Sequence, residues 1–141
     1  MNARAYYESL IAEMPFGAER IVLRVLSFRV GLANAIQKAD LIAECARAGV
    51  IFKAERQVRK TIVDLRKRGI PICSSSGESG YYLAANLAEY QEFAGREYLS
   101  KIADMRETVK AMNDSVRSMF PIEYAQYQAE KAAAAGQPSL L

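Results

Sequence analysis

Between residues 53 and 68 the chain places Lys53, Arg56, Arg59, Lys60, Arg66, Lys67 and Arg68 against Glu55 and Asp64, a net charge of +5. The whole chain of 141 residues sums to +3, so everything outside this stretch sums to −2. Clustered guanidinium and ammonium groups bind polyanions, releasing counterions from phosphate as they do so. Gln57 adds a different capacity, because a carboxamide pairs with adenine as Arg or Lys pairs with guanine. Further on, Ser74, Ser75 and Ser76 offer hydroxyl donors to phosphate oxygens. The contacts expected to duplex DNA are therefore Lys53, Arg56, Gln57, Arg59, Lys60, Lys67, Ser75 and Ser76, with Gln57 and Arg56 or Lys60 reaching base edges. The alternative for the cations is an ordinary solvated helix face.

Reactive chemistry is poorly supplied. The sequence has no His, which removes the commonest general base and metal ligand. It has neither a Gly-x-x-x-x-Gly-Lys phosphate loop nor a Gly-x-Ser-x-Gly elbow, and its carboxylates are scattered rather than set at metal-binding spacing. No catalytic residue, metal or cofactor is expected, and the chain does not read as an enzyme. Cys45 and Cys73 lie in separate elements without Cys-x-x-Cys spacing, as reduced thiols of a cytosolic protein would. No apolar run approaches the ~20 residues that span a bilayer. Glu8 and Glu13 interrupt any signal-peptide core, so the cytoplasm is the expected location.

The basic residues need an element to carry them. Val58, Ile62 and Leu65 recur at helical spacing and share one face. Arg56, Lys60, Val63 and Lys67 then point the other way, with Gln57 and Arg59 flanking them. Gly69 stands where a helix C′ glycine belongs, and Arg66, Lys67 and Arg68 suit the negative end of the helix dipole. The start is less well provided, since Lys53 and Ala54 stand where a Ser, Thr or Asp cap would add about 1 kcal/mol. Beyond Gly69, Ile70-Pro71-Ile72-Cys73 and Tyr81-Tyr82-Leu83 flank a Ser/Gly loop, which predicts a β-hairpin. Ile70, Ile72, Tyr81 and Leu83 are its expected inward positions and Tyr82 its outward one, with Gly77 and Gly80 permitting the turn.

Three helices are expected upstream. The first spans 3–14, with Tyr6, Tyr7, Leu10, Ile11 and Met14 on one stripe. The second spans 18–30, with Ile21, Val22, Val25 and Leu26 inward. The third spans 38–48, with Leu41, Ile42 and Cys45 inward. Ala35-Ile36-Gln37 is a candidate short strand. Val50-Ile51-Phe52 makes an apolar turn that can set the angle between the third helix and the basic one.

A helix pair followed by a hairpin is the arrangement of a winged helix-turn-helix. Residues 19–84 resemble the biotin-repressor type, and are most similar to small winged-helix proteins encoded by phages and prophages. The matching residues are Glu55-Arg56-Gln57-Val58-Arg59, Ile62, Leu65-Arg66, Gly69, Pro71-Ile72, Ser74-Ser75 and Gly80-Tyr81-Tyr82-Leu83. The resemblance implies a mainly α (α+β) fold that binds double-stranded DNA, with the basic helix in the major groove and the wing beside the backbone. It also implies a regulator of phage transcription or replication acting in the bacterial host cytoplasm. Winged helices also serve as protein-interaction modules that hold or inhibit replication and transcription components, so a protein partner is the second expectation.

Residues 86–119 read as one long helix capped by Asn86, with Glu89 at the capping-box position. From Tyr98 its apolar residues follow heptad spacing: Tyr98, Ile102, Met105, Val109, Met112, Val116 and Met119. β-Branched residues at a positions favour two-stranded pairing, so this stripe is the expected homodimer seam. A parallel pair would bring Lys101 against the partner's Arg106; an antiparallel pair would not. The alternative is that the stripe packs within its own subunit, against 3–14 or 122–127. Pro121 ends the helix, 122–135 can form another, and Gly136-Gln137-Pro138-Ser139 begins a tail. The expected organisation is an N-terminal helical extension (1–17), a winged helix-turn-helix domain (18–85), an association helix (86–120) and a C-terminal helix with tail (121–141).

Overall fold

The computed structural model describes residues 2–75, 77 and 80–136. Among these the chain is mainly helical, with one small antiparallel sheet. The elements are α1 (Ala3–Glu13), α2 (Ala18–Leu26), β1 (Ile36–Gln37), α3 (Lys38–Arg47), α4 (Glu55–Lys67), β2 (Ile72–Ser74), β3 (Gly80–Leu83), α5 (Leu87–Ala94), α6 (Ser100–Met119) and α7 (Pro121–Ala135). A short 3₁₀ turn spans Leu32–Asn34, and a π turn spans Gly95–Leu99. No helix of the described residues is long and apolar enough to cross a membrane. The chain divides into two compact units, 1–98 and 99–141.

In the first unit α2 packs on α1, α3 and α4. Most of the residues the periodicity selects are buried: Ile21, Val22 and Leu26 from α2, Leu41 and Cys45 from α3, Val58, Ile62 and Leu65 from α4; Val25 and Ile42 are only half-buried, and Leu23, which the stripe does not select, is fully buried. Tyr7 and Ile11 of α1 join this core, which is why the unit begins at the first helix. Gly49 and Gly69 end α3 and α4 with φ of +100° and +94°, a conformation that costs a Cβ-bearing residue energy.

Helix α2 ends at Leu26 rather than near residue 30. The Ser27 hydroxyl donates to the Arg24 carbonyl at 2.6 Å, and the chain then extends toward the sheet. There the Leu83 N–H donates to Arg29 O at 2.9 Å, and the Gly31 N–H donates to Leu83 O at 2.8 Å.

The sheet has the order β1-β3-β2, with Ile36 opposite Tyr81 and Cys73 opposite Tyr82. Gly80 serves close approach rather than a left-handed turn, because a Cβ there would lie 2.8 Å from Ala35 Cβ. Gly77 is the residue with positive φ, at +85°.

Tyr82 is a correction. Alternation on a hairpin predicts it outward, yet it is 1% exposed. The face that alternation assigns to solvent is covered by α5, whose Phe93 packs with Cys73, Tyr82 and Ala84 in a second apolar cluster. The short sheet is therefore buried on both faces. Helix α5 starts as expected: Asn86 Oδ1 accepts from the Glu89 N–H at 2.9 Å. The Glu89 carboxylate in turn accepts from the N–H groups of Ala85 and Leu32, both at 3.0 Å.

The second unit consists of α6 and α7. Its described residues bury almost nothing: from Leu99 to Gly136 only Tyr124 is other than exposed. Arg117 stacks on Tyr124, with 5.0 Å between guanidinium carbon and ring centroid, and donates to its hydroxyl at 3.5 Å. Pro121 opens α7 at a first-turn position, where its missing N–H costs nothing.

Candidate nucleic-acid interface

The candidate interface is built on α4. Burial of Val58, Thr61, Ile62 and Leu65 fixes the rotation of the helix, and Arg56, Gln57, Arg59, Lys60, Val63 and Lys67 come out exposed on the other side. Lys53 is exposed just before the helix begins. The structure thus brings together six of the eight expected contacts, the ones grouped around α4. Ser75 is half-buried at the end of β2, where its hydroxyl oxygen accepts from the Gly80 N–H at 3.0 Å and its own N–H donates to Gly80 O at 3.0 Å. These bonds make it a residue that closes the hairpin. Ser76 lies outside the described residues.

The cations of this face differ in their engagement. Arg56 and Lys67 have no ion pair or hydrogen-bond partner for their side chains among the described residues. Lys60 Nζ lies 2.8 Å from Asp64 and Arg59 Nη2 3.4 Å from Glu55, both i,i+4 pairs on an exposed surface. Glu55 also receives Lys38 Nζ at 3.3 Å from α3. The hydrogen bond from Lys38, then its charge, then Arg59 hold the Glu55 carboxyl below its usual range. The hydrogen bond that Lys60 donates to Asp64, then the charge of Asp64, raises the Lys60 ammonium. Exposed pairs of this kind contribute about 0–1 kcal/mol, so phosphate can replace either carboxylate at little cost.

The helix start resolves the missing cap. Gln57 Oε1 accepts the Lys53 N–H at 2.7 Å, reaching back from the third helical position as the Glu or Gln of a capping box does. Ala54 itself supplies no side-chain bond. Gln57 is therefore both a cap and an exposed carboxamide with one oxygen lone pair and its NH₂ still available.

No protein-family model matches this chain, and no curated protein or solved structure matches it.

Two basic residues of the stretch turn inward or sideways. Arg68 pairs with Glu19 of α2. Arg66 donates through Nε to the Ile72 carbonyl at 2.7 Å and through Nη1 to the Tyr98 hydroxyl at 3.2 Å. It ties α4 to the hairpin and to the π turn, a role its position in a run of three cations does not announce. Tyr98, the first residue of the expected seam, is placed in the first unit by the same contacts, with its ring edge-on to Phe93 at 5.7 Å. The remaining seam residues Ile102, Met105, Val109, Met112, Val116 and Met119 are all exposed. Ile102, Met105 and Val109 line a groove that also takes in Tyr124.

Proposed function

We propose that the chain is a winged helix-turn-helix protein that binds double-stranded DNA, with α4 in the major groove, and that it acts as a dimer through α6. The observation that carries the first part is the division of α4 into a buried apolar face and an exposed face of Lys53, Arg56, Arg59, Lys60 and Lys67. Within the first unit no described element covers that face, and its only ion pairs among the described residues are weak and exposed. A helix that presents long donors outward, followed by a short hairpin, is the geometry of groove insertion. The regulatory role in phage transcription or replication rests on the sequence resemblance of residues 19–84 alone.

The dimer rests on the second unit. Helices in proteins owe most of their stability to packing an apolar face, and α6 and α7 bury no residue of their own. A second copy of the Ile102–Met119 stripe supplies the missing cover. An antiparallel crossing suits the charges, since it separates Lys101 from the partner copy's like-charged positions. Protein recognition through the same stripe is the second reading, favoured by that same exposed surface.

Selection of binding sites from random duplex DNA tests the whole reading. The expected result is enrichment of an inverted repeat, because two-fold protein symmetry is mirrored in the site. Enrichment of nothing above the input pool would refute it.

A further inference from the structure

A cleft of about 410 Å³ opens beside the C-terminal half of α4, inside the first unit. Its walls are Ile70 and Pro71 from the loop into β2 and the rings of Tyr90, Phe93 and Tyr98. The volume falls in the range of small-ligand sites, which are mostly apolar with a few directed polar groups. Here the directed group is Arg66. Its Nε and Nη1 are bonded to Ile72 O and the Tyr98 hydroxyl, while Nη2 is buried without a hydrogen-bond partner among the described residues. A guanidinium nitrogen left unsatisfied inside a protein is costly, and each such group calls for an explanation. The rings of Phe93 and Tyr98 lie 4.9 and 6.0 Å from the guanidinium carbon. Tyr90 and Tyr98 are each 44% exposed; Tyr98 is the one whose hydroxyl is bonded to Arg66, so its outward swing is the one that frees the guanidinium.

We infer that this cleft binds a carboxylate attached to an aromatic or branched apolar body. The carboxylate would take the place of the Tyr98 hydroxyl and span Nη1 and Nη2, the paired geometry for which a guanidinium is suited. The apolar body would lie against Tyr90, Phe93 and Ile70. A phosphate dianion fits less well, because the walls are apolar. Two sources supply this chemistry: a free small acid, and the C-terminal carboxylate of a peptide ending in a large apolar residue. Lys67 borders the same cleft, so, on the DNA-binding reading above, an occupant there weakens duplex binding and DNA weakens the occupant by the same factor.

The test needs no DNA and therefore stands apart from that reading. The full chain is titrated with 3-phenylpropanoate, with 3-phenylpropanamide, and with a tetrapeptide ending in Phe carrying a free or amidated C-terminus. Aromatic-ring NMR resonances report the binding. The expected result is movement of the Tyr90, Phe93 and Tyr98 resonances, with at least one carboxylate binding about tenfold more tightly than its amide. Preference for the free acid assigns the site to small molecules, and preference for the free-ended peptide assigns it to a partner chain; either supports the carboxylate site. Tyr98→Phe, which keeps the ring but removes the competing hydroxyl, is expected to tighten acid binding, and Arg66→Lys to bring acid and amide level. Equal binding of acid and amide by the wild type, or no movement of these rings with any probe, overturns the proposal even if Arg66→Lys does not fold.

Discussion

On the proposed DNA-binding reading, Gln57 carries two separable duties. Its carboxamide oxygen caps α4 through the Lys53 N–H, and the rest of the amide is free to meet a base. Gln57→Ala should lose both, costing about 1 kcal/mol of stability from the cap and about 1–3 kcal/mol of binding on the preferred site. Gln57→Glu keeps an acceptor at the third helical position, so urea unfolding should stay near wild type while the ratio of preferred-site to random-duplex affinity collapses. If Gln57→Glu retains that ratio, Gln57 is a cap alone. The exposure of Arg56, Lys60 and Lys67 was legible in the sequence, because the opposite apolar stripe dictates it. The role of Arg66 was not, because its partners Ile72 and Tyr98 come from elements whose approach no local pattern encodes.

Among the elements, two thiols are buried in different places: Cys73 between the sheet and α5, and Cys45 in the core that α3 shares with α2 and α4. Burial is the first cause that raises both Cys45 and Cys73 to about 11, from an ordinary 9.0. Burial likewise raises Tyr7 to about 12 from 10.0. The sign follows from linkage: these groups stay protonated in the folded chain after the unfolded chain has released its protons. Their contribution is complete below about pH 9 and is lost as pH rises through the folded values. The urea midpoint should therefore fall between pH 8.5 and about pH 11, and thiol reagents at pH 8 should react no faster than the chain opens. Rapid native labelling of both cysteines would show that they are not held this way. Alternation places Ile70, Ile72, Tyr81 and Leu83 inward, and all four are buried. It misplaced Tyr82, because a two-residue period reports one covered face and cannot see a helix arriving on the other. Similarly, the continuous helical pattern from 86 to 119 conceals the π turn at Gly95–Leu99, where i→i+5 bonding shifts the phase of Tyr98 from the residues after it.

At the scale of the whole molecule, an apolar stripe left open on α6 and a positive charge gathered on α4 are complementary halves of one account. Two linked readers gain affinity through effective concentration without new contacts. Val109→Asp sets a carboxylate in the middle of the seam, where desolvation is costly. It should sediment as a monomer and bind the selected site more weakly, while a variant that is monomeric yet binds equally well would separate the stripe from DNA binding. Heptad spacing made the stripe readable, but spacing alone could not say whether it packs at home; its exposure in the single chain is the structural addition. Whether the α4 face meets phosphate is read from duplex affinity measured across a range of salt concentrations. Each phosphate contact adds roughly 0.9 to the slope of log K against log salt. Replacing Lys60 and Lys67 together with Ala should lower that slope by about 2, in a variant whose unfolding midpoint is unchanged. A folded double variant with the wild-type slope would contradict the account.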